Sequence, residues 1–405
     1  MENAVPDRTT EGIGRGEMSK SEAAVIGIEV EGTVAEQGML RDSVTDFVRR
    51  LCDMSRVRRL RADGVDCDPS FWKRLADLGW LGILVPQAMG GLGLGLTEAA
   101  IVAEGLGAAL IPEPFNAMGC MTTTALSACA PNELAQELLT RIVAGEQRVA
   151  LAWQEEPGEL DVNLSAMSVE HIGHEIRLNG IKRYVLAGKA AEGFLVSAVT
   201  AAGPELYWVP ADAVGLQRDY TLLADGRHFG VLRLQDVAVP SRHRLARGEA
   251  ARVALETARD YATVIAGAEL MGLMKSALKM SLDYMRNREQ FGKPIGSFQA
   301  LQHRAVDLFI QQQLASAVLE SALEALRNRP DAKQRAIIAS RVKARCSDAA
   351  LRIVRETIQI HGAMGFTDEF DAGLYLKRAL VLSAWLGNAA CHRRRYARYA
   401  LGAQL

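Results

Sequence analysis

Apolar residues recur at helical spacing from Met39 through Leu40, Val44, Phe47, Val48 and Leu51, and the period continues with interruptions to about residue 145. The interruptions carry turn chemistry: Val85-Pro86 followed by Gly90-Gly91-Leu92-Gly93, and Ile111-Pro112-Glu113-Pro114-Phe115. Residues 1–38 lack the period, are rich in Gly, Glu, Ser and Thr, and read as a flexible leader. Residues 39–147 are therefore expected to form an N-terminal helical domain.

The pattern changes near residue 149. Short apolar runs such as Gly193 to Val199 and Leu206 to Val209 alternate with Gly, Asp and Pro, with no helix between them long enough for a βαβ unit. Residues 148–247 are expected to form a central antiparallel β-sheet or barrel domain. Helical periodicity then returns over 252–287, 297–328, 331–360 and 371–400, so 248–405 is expected to form a C-terminal four-helix bundle. The predicted fold class is α+β.

Composition narrows the function classes. At 405 residues the chain is long enough for a large core, and 49% hydrophobic with 23% charged residues is ordinary for a globular protein. A formal net charge of −1 gives no global attraction to nucleic acid or anionic membrane. No apolar run is long enough to span a bilayer, and no basic segment precedes an apolar one at the N-terminus. The six cysteines, Cys52, Cys67, Cys120, Cys129, Cys346 and Cys391, have neither paired nor metal-ligand spacing, which predicts free thiols in a cytoplasmic protein and no metal site.

Two segments carry candidate chemistry. Arg288-Glu289-Gln290-Phe291-Gly292, followed by Phe298-Gln299, puts an arginine fork at a helix end, a geometry suited to a pyrophosphate. Gln359-Ile360-His361-Gly362-Ala363 ends another helix, where an amide and open backbone groups can meet a ligand. An isolated arginine at a helix end reads as a carbonyl cap; the motif around it favours the ligand role. The glycine run from Gly90 to Gly95 follows no strand of a βαβ unit and is read as structural.

With the order helices, sheet, bundle, these segments resemble the acyl-CoA dehydrogenases over nearly the whole chain after the leader. The resemblance implies FAD as cofactor, an acyl-CoA substrate, an electron-transfer flavoprotein or similar acceptor, and a homo- or hetero-tetramer. It assigns Arg288, Phe291, Gln299, Gln359 and Gly362 to the FAD of a neighbouring subunit, with Ala363 in place of the family's second glycine. Elsewhere the match weakens. The family's Thr-Glu-Pro-Gly and Trp-Ile-Thr segments correspond to Glu155-Glu156-Pro157-Gly158 and Tyr184-Val185-Leu186, without the hydroxyls that address the flavin.

The α,β-dehydrogenation of an acyl thioester needs a base for the α proton. The family's Tyr-Glu-Gly-Thr aligns with Trp385-Leu386-Gly387-Asn388, and its alternative base position aligns with Ala262, so neither site offers a carboxylate. Asp260 and Glu269 on the same helix are the weak remaining candidates, each more often structural than catalytic. The pattern is similar to the small-subunit type of heteromeric bacterial acyl-CoA dehydrogenases, in which two chains share one flavin site. Two alternatives stay open: an active homomeric enzyme with an unusual base, and a flavin-free scaffold or binding protein of the same fold.

Overall fold

The computed structural model describes residues 32–129 and 131–402. Most of the predicted leader lies outside these residues, but its last five residues are helical. Helix α1 spans Val34–Leu51 because Thr33 and Glu36 close a reciprocal capping box, which starts the helix ahead of the apolar period. Four more helices build the N-terminal part: α2 (Met54–Asp63), α3 (Pro69–Asp77), α4 (Leu96–Ala108) and, after an eight-residue π-helical stretch over Phe115–Thr122, α5 (Thr123–Ala128). Helix α6 (Glu133–Val143) closes it. The glycine-rich turn is structural: the backbone N–H groups of Leu92, Gly93 and Leu94 donate to Gly82, Val85 and Ile83, leaving none of the three for a phosphate.

The central region is β and largely antiparallel. Its strands are β1 (Val149–Ala152), β2 (Ser168–Ile172), β3 (Glu175–Leu186), β4 (Gly193–Thr200), β5 (Gly203–Pro210), β6 (Leu216–Leu222), β7 (His228–Pro240) and β8 (Arg244–Arg247). They form two four-stranded sheets, ordered β1-β4-β5-β8 and β2-β3-β7-β6, and β1 pairs with β4 in parallel. That pairing returns the chain to a fully buried strand, Val149 to Ala152, whose apolar run has no solvent face.

The C-terminal part holds five helices rather than four: α7 (Glu249–Asn287), α8 (Gln299–Arg327), α9 (Ala332–His361), α10 (Ala372–Ala384) and α11 (Ala389–Ala400). The predicted helix over 371–400 is broken at Leu386 and Gly387, which adopt φ of 59° and 90°, and Asn388 caps α11 by accepting from the Cys391 N–H at 2.9 Å. Helix α7 carries no hydrophobic stripe because it is buried along most of its length. It crosses α4 at two glycines: a Cβ on Gly107 would lie 2.3 Å from the Glu269 carbonyl oxygen, and one on Gly272 would lie 1.8 Å from that of Glu104. This close approach locks the N-terminal helices to the bundle.

Candidate functional site

Helices α7 and α9 end side by side. The buried His361 ring lies between Tyr284 of α7 and Phe370, with centroids 4.3 and 4.5 Å away, and its Nδ1 bonds the Thr357 carbonyl at 2.7 Å. His361 is thus the packing element that joins the two ends. Arg288 caps α7, and a two-stranded hairpin (Glu289–Gln290 with Lys293–Pro294) projects beyond it, turning at Phe291 (φ 54°) and Gly292 (φ 78°). Phe291 is 92% exposed at the tip. Gln299 opens α8, Gln359 lies in the last turn of α9, and Gly362 ends that helix at φ 59°. Arg288, Gln299 and Gln359 are all exposed, and their side chains have no hydrogen-bond or ion-pair partner among the described residues. The sequence-predicted residues therefore stand on the outer surface around one end of the bundle.

The turn between α10 and α11 is different in kind. Leu386 is buried, and its carbonyl accepts from His392 Nε2 at 2.8 Å. Since a carbonyl only accepts, Nε2 carries the proton and Nδ1, 3.3 Å from Ser340 Oγ, is the acceptor. Burial holds the His392 pKa down at about 3. Beneath the same turn the fully buried Lys343 ammonium donates to the carbonyls of Leu382, Ser383 and Gly387 at 2.7, 3.1 and 3.1 Å. Burial lowers its pKa to about 7.

A loop from the β region closes over this turn. The methyl groups of Leu160 stand 3.2 and 3.3 Å from where a Cβ on Gly387 would sit, and Arg259 Nη1 holds the Leu160 carbonyl at 2.6 Å. The root of the loop is pinned by Lys182, whose buried ammonium donates to Glu155 Oε1 at 2.6 Å and to Ser165 Oγ at 3.2 Å. Burial lowers the Lys182 pKa to about 8 against the pull of Glu155. Glu155, which stands where the family has a threonine, is thus the salt-bridge partner of a buried lysine. Leu186 is buried and offers no hydroxyl.

The two carboxylate candidates differ in how free they are to act as a base. Asp260 is fully buried, and both of its oxygens are bound by Arg259 (2.9 and 3.1 Å) and by Arg395 (2.7 and 3.2 Å). Burial alone would raise its pKa, but the two guanidiniums overcome it and hold the group well below the usual carboxylate range. Glu269 sits about two turns beyond Ala262 on α7, where burial raises its pKa and Arg227 and Arg378 partly offset the rise. It borders a small space of about 10 Å³ that is also lined by Asn116, Leu186 and Arg227. Ala262 is buried, and its carbonyl accepts from Asn116 Nδ2 at 3.1 Å.

Sequence reasoning missed Leu160, Lys182, Lys343, His392 and Arg395. One signal was present: Lys343 falls in the apolar stripe Ala339, Val342, Cys346, Ala350, where a lysine needs a buried partner.

Known proteins resemble this arrangement. A model of the acyl-CoA dehydrogenase N-terminal domain matches residues 34–146, and one of the acyl-CoA dehydrogenase C-terminal domain matches residues 248–401. The acyl-CoA dehydrogenase FadE27 of Mycobacterium tuberculosis is 28% identical over 366 residues, covering 89% of this chain and 95% of the relative. The acyl-CoA dehydrogenase IpdE2 of the same organism is 29% identical over 350 residues, covering 85% and 91%. Among solved structures, the ChsE4-ChsE5 complex from Mycobacterium tuberculosis matches with a TM-score of 0.83 and 26% identity over 92% of this chain and 99% of that one. A variant of the Tcur3481-Tcur3483 steroid ACAD matches with a TM-score of 0.81 and 27% identity over 91% and 98%.

Proposed function

This chain belongs to the acyl-CoA dehydrogenase family, and we propose that it is one subunit of a heteromeric enzyme, serving FAD held mainly by a partner chain. The observation that carries this reading is an asymmetry. The exposed ends of α7 and α9 and the start of α8 present Arg288, Gln359 and Gln299 with nothing bound to them among the described residues, as donors to a cofactor in another subunit require. The chain's own turn at Leu386 is packed by Leu160 and offers no carboxylate.

When bound, FAD accepts the hydride that leaves the β carbon of the acyl group, and an electron-transfer flavoprotein or similar acceptor would take the electrons onward. In this division of labour Arg288 and Gln359 bind and orient, while the base comes from the partner. The first half of α8 leaves Val306, Phe309, Ile310 and Leu314 at 45 to 55% exposure, an apolar surface suited to packing against a second bundle in a tetramer. One structural neighbour is itself a complex of two differently named proteins. All six cysteines are free, in keeping with a cytoplasmic setting.

A second reading, a self-sufficient enzyme using Glu269, draws support from the raised pKa of that carboxylate. Expression of the chain alone and together with an adjacent acyl-CoA dehydrogenase gene separates the two. The heteromeric reading expects colourless protein alone, yellow protein on co-expression that bleaches on adding an acyl-CoA, and loss of flavin in the complex when Arg288 is replaced by Ala. Flavin bound by the isolated chain and reduced by acyl-CoA would support the second reading, and no flavin in either preparation would leave a scaffold of the same fold.

A further inference from the structure

Arg288 and Gln359 leave the bundle from different helices, the end of α7 and the last turn of α9, so their separation depends on how those two ends are joined. The join is a stack of three rings. His361, 3% exposed, lies between Tyr284 of α7 and Phe370 of the loop before α10, with ring centroids 4.3 and 4.5 Å away. Tyr284 also holds Arg288 directly: its carbonyl accepts the Arg288 N–H at 2.8 Å, and the Arg288 carbonyl accepts the Ile295 N–H at 2.8 Å. On the far side of the stack, Arg58 of α2 donates to the carbonyls of Asp368 at 3.1 Å and Glu369 at 2.8 Å, which pins the loop that carries Phe370.

A histidine is a costly residue for this slot. Its Nδ1 lies 2.7 Å from the Thr357 carbonyl, which only accepts, so Nδ1 carries the proton and Nε2 is left as an acceptor. Nε2 is buried and has no hydrogen-bond partner among the described residues. An unmet buried acceptor destabilises the fold, and a phenylalanine of similar volume would fill the slot without one. Burial lowers the His361 pKa and keeps the ring neutral, so charge is not what it contributes. What the imidazole adds is orientation, because the Nδ1–H bond fixes its rotation against α9. One turn back, Ser281 Oγ donates to Thr357 Oγ1 at 3.0 Å across the same contact between α7 and α9.

We propose that His361 is a positioning residue for the shared flavin site: held between Tyr284 and Phe370, it sets the distance between Arg288 and Gln359, the two donors offered to a cofactor in the partner chain. It touches no cofactor itself. This role rests on the heteromeric reading above only for what the two donors grip; the spacing between them belongs to this chain.

Hydrogen–deuterium exchange of the isolated chain tests the spacing without flavin. In His361→Ala the Arg288 amide and the hairpin over 289–294 should exchange about tenfold faster, while the β-strands keep their natural rates. Flavin affinity of the co-expressed complex is the second readout. His361→Ala should weaken it by about tenfold, and in an Arg288→Ala background the same change should cost little further, because its effect runs through Arg288. His361→Phe is the sharper variant and carries the comparison even if His361→Ala does not fold. It refills the slot and removes the unmet acceptor, so its melting temperature should not fall, yet without the Nδ1–H bond to α9 it should bind flavin about threefold more weakly. A residue that merely fills space would give natural flavin affinity in His361→Phe, and that result overturns the proposal. Unchanged exchange in His361→Ala, or a flavin loss that adds in full to that of Arg288→Ala, overturns it as well. Faster exchange with no flavin in any co-expressed preparation sinks the subunit reading instead and leaves the spacer in place.

Discussion

The Lys343 ammonium lies 3.1 Å from the carbonyl oxygen of Gly387, and it makes no ion pair with any described carboxylate. Its three donors are spent on the carbonyls that end α10 and form the following turn. A buried charge is tolerated here because it caps a helix C-terminus, where the backbone dipole is negative.

Replacing Lys343 by Met should therefore cost about 2–4 kcal/mol, since three carbonyls lose their partner while one desolvated charge is removed. The pH dependence follows from the lowered pKa. Between about 7, the folded value, and the ordinary lysine value near 10.5, the unfolded chain holds a proton that the folded chain has released. Stability contributed by this group thus rises with pH across that window, by up to about 1.4 kcal/mol per unit. Urea midpoints at pH 7 and pH 9 should rise less in Lys343→Met than in the natural chain. Parallel changes in the two proteins would refute the assignment.

His392 works in the opposite pH range. Folded, it stays neutral down to about 3, whereas the unfolded imidazole takes up a proton near 6.5. As pH falls from 6.5 toward 3, protonation favours the unfolded chain, and stability is lost at up to about 1.4 kcal/mol per unit. His392→Gln keeps an amide donor for the Leu386 carbonyl but does not titrate. It should be less stable at pH 7 yet lose less between pH 6.5 and pH 4.5, as read by chemical denaturation at each pH. An unchanged acid slope would mean that other groups control it.

Local periodicity carried the element types, and local chemistry explains the shifts at their ends. The Thr33–Glu36 capping box and the Gly387-Asn388 pair were both readable as a start and a break, yet each was overridden by a longer apolar period. What the sequence could not reveal is pairing across distance. Asp260 and Arg395 are 135 residues apart, and Glu155 meets Lys182 across the β region. Asp260 looked like a spare carboxylate because its partners come from α7, α9 and α11, which meet only once the bundle has formed. The residues proposed to serve FAD are easier to single out, since Arg288 and Gln359 each sit within a contiguous motif at a helix end.

The crossing of α4 and α7 has no room for a side chain. Gly272→Ala would place a methyl group 1.8 Å from the Glu104 carbonyl oxygen, which belongs to a helix backbone and cannot rotate away. The helices must separate, and the cost should be about 3 kcal/mol or more, at the upper end of overpacking in cores. Thermal unfolding followed by circular dichroism checks this, with Gly38→Ala as control, since a Cβ there meets nothing within 4 Å. Equal melting temperatures in the two variants would show that the crossing is looser than described.

Asp260→Asn separates a structural from a catalytic carboxylate. The amide has nearly the same shape but leaves Arg259, Arg335 and Arg395 without their shared anion, so three buried guanidiniums face one another uncompensated. Breaking a buried ion pair from one side costs about 3–5 kcal/mol, and the loss should show in the urea midpoint before any assay is run. Because the ionised form is the stabilising one, acidification should weaken the natural chain through this group only once pH falls below the ordinary aspartate value of 3.8, where the unfolded carboxylate takes up a proton and the folded one does not. If Asp260 instead served as the base, the Asn variant would fold with unchanged stability and lose turnover in the assembled enzyme.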